Sequence, residues 1–365
     1  MTAAVFVAAG WPADLYRDFD FIPMWLAGRG VLNGTDFYDP VVWRDLFVRE
    51  GSQGYAYLPG SGFGYAMPAA VLMAPFGALP FSLAAALWAS TMVALTVSGT
   101  YALGRLVFRQ DPRRDLFVLL GLSLGSAPFW LSLVTGQISG LMLGLVAHAT
   151  ALLASRPAMA GAILGLAGVL KPQIFVWAIP ILLIASPGRA AILRGLVLFC
   201  GPLVAISFLL RPEWLGAWLS SALLLQTLEV SRANAWGLAP PNAQWLGWAP
   251  LALVTVAFFL WWRERPSPVW LWAGALSVSL FGAPYSYAHN FGPLVVPAAL
   301  VAASVAEAPT GTRAWMLGVL ALVWVVVPWV LQIETHRSGA EPAAALVPVA
   351  MLALLIVAHR MRSQA

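Results

Sequence analysis

Eleven apolar runs, thirteen to twenty-eight residues long, fill most of this chain and decide what it can become. They lie at 81–108, 115–134, 137–154, 158–170, 173–185, 190–210, 245–262, 268–283, 291–306, 313–333 and 343–358. About 20 apolar residues in a helix cross the ~30 Å hydrocarbon core of a bilayer. Within lipid every backbone N–H and C=O needs an internal partner, so a run of this kind has to be helical. The apolar residues are continuous and do not alternate at period two, which argues against a transmembrane β-barrel. Hydrophobic side chains make up 61% of the 365 residues and charged ones 10%, where a soluble domain carries roughly 25% charged. That balance excludes a soluble enzyme, a disordered chain and a nucleic-acid-binding domain, despite a net charge of +5. The expected fold is all-α: a polytopic transmembrane bundle of about 10–12 spans.

Charge placement orients the bundle. With residues 11–80 outside and the runs alternating, the inner loops hold twelve of the twenty basic residues and only four of the fifteen acids. Excess positive charge in short inner loops is the positive-inside pattern. It predicts an extracytoplasmic 11–80 loop and a cytoplasmic C-terminus. The chain reads as one integral-membrane domain, 1–365. It comprises the 11–80 loop, a transmembrane core at 81–210, an outer amphipathic segment at 211–244 and C-terminal helices at 245–365. Within the first loop, 65–79 is apolar, proline-interrupted and too short to cross, so it is expected to lie in the interface or dip into it. The apolar N-terminus reads as the stub of a first spanning helix and not as a signal peptide. Gly121/Gly125, Gly140/Gly144 and Gly161/Gly165 are small-xxx-small pairs suited to close helix packing. Cys200, the only cysteine, leaves no internal disulfide.

Polar groups that a membrane fold does not need gather on the outer side. Asp18 and Asp20 are carboxylates at i and i+2; such a pair can ligate a divalent metal, or one member can act as a base. Asp is equally favoured as a helix N-cap. Lys171 stands at a Leu-Lys-Pro break between two short runs. A lysine at such a break suits a phosphate, and one near the rim can also snorkel. Gln137, in the Thr135-Gly136-Gln137 turn, can donate and accept as sugar hydroxyls require. His289 and Asn290 close the segment Ala283-Pro284-Tyr285-Ser286-Tyr287-Ala288, where tyrosines also fit a membrane interface. No two His or Cys residues have metal-ligand spacing, and no nucleotide-binding glycine fingerprint is present.

These residues occur in an ordered set: DFIPMWLAGR (Asp20 to Arg29), Asn33-Gly34, Tyr38-Asp39-Pro40, YLPGSGFGYAMPAAVLMAPFGALP from Tyr57, Gly136-Gln137, Lys171-Pro172-Gln173 and APYSYAHN. The set resembles the bacterial multispanning glycosyltransferases of the GT-C type, family eighty-seven. The resemblance implies a bacterial plasma-membrane mannosyl- or arabinosyltransferase. It implies a polyprenyl-phosphate sugar as donor and a glycolipid or glycan as acceptor, joined on the extracytoplasmic face. It also implies Asp20 as general base, with Asp18 the alternative. Lys171 is the candidate cation for the donor phosphate and Arg29 a second one. Gln137, Tyr57, Tyr285, His289 and Asn290 are candidate substrate contacts. Where the family often has Tyr-Asp, this chain has His289-Asn290, which points to another acceptor. One-step displacement would invert the anomeric centre. No cofactor is required, although the Asp18/Asp20 pair leaves a divalent ion open. A transporter or a non-catalytic partner subunit is the rival reading. A transporter would set ionisable groups near the midplane and show internal symmetry.

Overall fold

Proline places the helix starts. In the computed structural model, which describes residues 16–17, 19–50, 61–108, 112–228, 233–284, 286–306, 308–338 and 342–364, many helices carry proline in their first turn. A proline there costs nothing, because its missing N–H has no partner to lose. Among the described residues all regular structure is helical. The order is α1 (Phe21–Asn33), α2 (Pro40–Arg49), α3 (Met67–Gly77), α4 (Phe81–Val107), α5 (Pro112–Leu124), α6 (Ala127–Thr135), α7 (Gly140–Leu152) and α8 (Pro157–Leu170). There follow α9 (Pro172–Phe175), α10 (Ala178–Ala185), α11 (Arg189–Leu210), α12 (Trp214–Leu228), α13 (Trp248–Trp262), α14 (Pro268–Phe281) and α15 (Val295–Val305). The last three are α16 (Thr310–Ala321), α17 (Val327–Ser338) and α18 (Leu346–Gln364).

Six helical stretches are long and apolar enough to cross a membrane, and α5 with α6, bent by 49°, makes a seventh. This is fewer than the apolar runs suggest. The difference lies in four runs: one becomes the short pair α9 and α10, of 4 and 8 residues, and the others become α7, α8 and α14, of 13, 14 and 14 residues. At 1.5 Å per residue each of the last three reaches only about 20 Å. Helix α7 buries ten of its residues and α14 twelve. They are apolar all round because other helices surround them, and sequence does not separate that from being surrounded by lipid.

Close contacts set the frame. A Cβ at Gly161 of α8 would run into the Ile192 carbonyl of α11, and one at Gly195 of α11 into the Ala158 carbonyl of α8. Gly144 meets the Leu95 carbonyl of α4 in the same way. The expected packing role thus holds for the Gly140/Gly144 and Gly161/Gly165 pairs. Gly121, by contrast, has open space around its Cα. The 65–79 segment is helical over most of its length. It forms α3, six of whose eleven residues are buried, and it packs against α1 and α11. Helix α12 has two unlike faces. It buries Trp214 and Ser221 and exposes Leu215, Leu219 and Leu223, which recur every four residues on one face.

Candidate active site around Lys171

Helix α8 stops because of Pro172. A proline has no N–H to continue the ladder and disfavours helical geometry in the residue before it. Lys171 takes φ −144°, ψ 68°, and its N–H still donates to the Ala167 carbonyl at 3.0 Å. Its side chain turns inward and is 2% exposed. This is the chain's only lysine; every other basic residue is arginine. Its ammonium sits 5.3 Å from the centre of the Tyr65 ring, a cation–π distance.

Tyr65 links Lys171 to the next element. Its hydroxyl donates to Gln137 Oε1 at 3.0 Å. Gln137 follows Gly136, which ends α6 in the left-handed conformation at φ 68°. Glycine is needed there twice over. A side chain would strain the backbone, and its Cβ would lie 2.6 Å from the Cβ of Phe21. Trp88 Nε1 donates to the Gly136 carbonyl at 2.9 Å, and Phe21 packs on the Trp88 ring at 5.6 Å. The Gly136-Gln137 turn therefore rests on the first residue of α1. Asp20 immediately precedes that residue. It occupies the N-cap position, yet its carboxylate makes no cap hydrogen bond. Asp39, at the start of α2, does cap, accepting from the Val41 and Val42 amides. The ordinary capping explanation applies to Asp39 and not to Asp20.

The segment before α15 is tied to the N-cap of α7. Ser139 donates to Asn290 Oδ1 at 2.6 Å across 151 residues. That fixes which end of the amide is occupied: Asn290 is buried and its Nδ2 has no partner. His289 Nε2 is also buried without a partner, and its ring lies 5.4 Å from that of Tyr287. Buried polar groups are rarely left unsatisfied, so each such atom is a candidate ligand contact.

A groove of about 380 Å³ opens beside Lys171. Gly64, Tyr65, Lys171 and Gln173 form one side, with Trp218, Leu219, Ala222 and Leu223 of α12 opposite. One end carries a cation and polar side chains, while the α12 wall is apolar.

Of the residues singled out from sequence, the structure links Gln137 and Lys171 through Tyr65 and sets Asp20 beside the Gln137 turn, while His289 and Asn290 each hold a buried polar atom without a partner. Arg29 stands elsewhere. It is nine residues beyond Asp20 on α1, roughly 14 Å along the axis. It is exposed, pairs with Glu50 at 3.6 Å and lies over the Trp25 ring at 5.1 Å. Asp18, Tyr57 and Tyr285 lie outside the described residues. Among the described residues no group of three His, Cys, Asp or Glu side chains is placed to hold a metal ion. Tyr65 is the contact that sequence reading passes over. Its signal was faint, an aromatic in a Gly-rich stretch ahead of an apolar helix.

The model of glycosyltransferase family 87 matches residues 63–286, more than half of the chain. The chain belongs to glycosyltransferase family 87. No curated protein and no solved structure matches it. Tyr65, Gln137 and Lys171 fall inside the family match, whereas Asp20, His289 and Asn290 fall outside it. This family 87 protein is thus a multi-pass membrane glycosyltransferase.

Proposed function

We propose that this glycosyltransferase moves a sugar, mannose by the family resemblance, from a polyprenyl-phosphate donor to a glycolipid or glycan hydroxyl on the extracytoplasmic face. The observation that carries the reading is the groove, which joins a buried ammonium at one end to an apolar helix face. A lipid phosphate has that same division. The donor phosphate sits at Lys171 and the prenyl chain runs along Leu219 and Leu223 of α12. Gln137, Asn290 and His289 meet sugar hydroxyls or phosphate oxygens.

The chemistry follows from the leaving group. The acceptor oxygen forms a bond to the anomeric carbon as the carbon–oxygen bond to the phosphate breaks. The electron pair leaves on the phosphate oxygen, and the acceptor proton passes to the Asp20 carboxylate. The products are an inverted glycoside and a polyprenyl phosphate. Lys171 stabilises the charge growing on the phosphate, so no strong general acid is required. A positioned carboxylate base contributes about 10²–10⁴-fold.

The test is sugar transfer by purified protein in lipid, with polyprenyl-phosphate mannose and polyprenyl-phosphate arabinose offered beside an extracted glycolipid pool. Wild type is expected to transfer from one of them, and Asp20→Asn to bind that donor without turnover. Retained turnover in Asp20→Asn removes Asp20 as base. A folded wild-type protein that binds donor yet transfers from neither sinks the transferase reading.

A further inference from the structure

Arg211 stands in the two-helix corner between α11 and α12, in an extended conformation at φ −154°, ψ 93°. Its guanidinium takes Asp36 in a two-pronged grip. Nη2 donates to Oδ2 at 2.8 Å and Nη1 to Oδ1. The Tyr38 ring lies 5.2 Å from the guanidinium carbon, and Glu213 is 3.0 Å from Nε. Asp36 is held in turn by the Tyr38 and Asp39 amides, each at 3.0 Å.

Two more ties lead from this corner to the groove. The Tyr38 hydroxyl donates to the Tyr65 carbonyl at 2.7 Å, and the Phe63 amide to the Phe37 carbonyl at 2.9 Å. From the other side Trp218 Nε1 of α12 donates to the Gly64 carbonyl at 3.3 Å. The strap 61–66 is therefore stitched to the 36–38 turn on one flank and to α12 on the other. Arg211 joins those two flanks directly. Helix α11 is fixed separately by its glycine contacts with α8.

We propose that Asp36 and Arg211 are positioning residues for donor binding, holding α12 against the strap and so setting the width of the groove that takes the prenyl chain. Neither side chain lines that groove, and neither reaches the reacting atoms. A planar, bidentate guanidinium fixes orientation as well as distance, which is what a helix corner needs. The inference rests on the lipid-linked-donor reading above.

The experiment compares two donors in lipid nanodiscs: the full-length polyprenyl-phosphate sugar and a short two-isoprene analogue of it. Wild type, Asp36→Asn and Tyr38→Phe are assayed for KM and kcat. Asp36→Asn is expected to raise KM for the long donor about two- to fivefold, the upper end of what a part-exposed ion pair can supply. KM for the short donor and kcat for both should stay near wild type. Tyr38→Phe, which keeps the ring and loses only the hydroxyl tie to Tyr65, should move the same constant by less. It carries the test if Asp36→Asn does not fold. Unchanged KM for the long donor overturns the inference, as does a loss confined to kcat or one equal for both donors. No transfer by wild type from either donor overturns the donor reading, and this inference with it.

Discussion

Replacing Lys171 by methionine isolates the central claim about the donor phosphate. Methionine is close in length and apolar, so the 2% exposed site stays filled and only the charge is lost. The Tyr65 ring lies 5.3 Å from the ammonium, a contact worth about 0.5–2 kcal/mol. A phosphate oxygen in its place adds a charge-assisted hydrogen bond of about 1.5–3 kcal/mol net. The bare Coulomb figure at 4 Å, about 4 kcal/mol at an effective dielectric of 20, is an upper bound. The hydrogen-bond range corresponds to a fall of about 10- to 150-fold in kcat/KM. The assay pairs turnover with thermal unfolding, with and without donor. Ligand that binds only the folded state raises its melting temperature. Wild type should gain stability with the donor and Lys171→Met should gain little, whatever its own starting value. A Lys171→Met protein with wild-type kcat/KM, or with the full donor-dependent shift, would refute the reasoning.

Tyr65→Phe keeps the ring under Lys171 and loses the bond to Gln137, costing about 0.5–1.5 kcal/mol in donor binding, while Tyr65→Leu loses the ring as well; donor KM should rise in that order, and the reverse order would remove Tyr65 from the site. Burial pushes the Asp36 carboxyl up, but the Arg211 guanidinium and the Asp39 and Tyr38 amides outweigh this and hold it below its usual value. Its stabilising effect is then fully present above the unfolded value, about pH 3.9, and fades as pH falls through the folded one. With Asp36 47% exposed, the pair is worth less than about 1 kcal/mol; thermal unfolding of wild type against Asp36→Asn should show a small advantage at neutral pH that shrinks in acid, and an advantage that grows on acidification contradicts this. Gly161→Ala drives a methyl into the Ile192 carbonyl and should cost about 1–3 kcal/mol. Gly201→Ala meets open space on the same helix pair and should stabilise by up to about 1 kcal/mol; equal melting temperatures for the two variants would show that the α8–α11 contact is not close-packed.

What could be read from residue order was everything set by neighbours in the chain. The apolar runs become helices, Pro172 breaks one of them at Lys171, and Gly136 ends another. What could not be read was set by residues far apart. Tyr65 and Gln137 are 72 positions apart and Asp36 and Arg211 are 175 apart, so no local pattern links them. Arg29 illustrates the converse. Nine residues from Asp20 in one motif, it looks like part of the same site, but helical rise carries it away to Glu50. Helices α7 and α14 looked like spans because burial in protein and burial in lipid select the same side chains. The length of segment 65–79 and its Pro75 speak against a crossing, and it forms the short helix α3, six of whose eleven residues are buried.

The position of the site follows from the same constraint that makes the bundle helical. In a bilayer, irregular backbone is tolerated only where protein or a water-filled cavity satisfies its polar groups. The polar residues of the site stand where helices begin, end or break: Asp20 before α1, Tyr65 before α3, Gln137 after α6, Lys171 between α8 and α9, and Asn290 before α15. Helix ends can supply polar side chains at depth without leaving a lipid-exposed polar backbone; Tyr65 and Lys171 line the groove itself, and Gln137 is joined to it through the Tyr65 hydroxyl. A rival transporter reading would place its ionisable groups on helix interiors near the midplane. The one buried ammonium instead lies at a helix break beside an apolar wall, an arrangement suited to holding a lipid phosphate while a reaction occurs next to it.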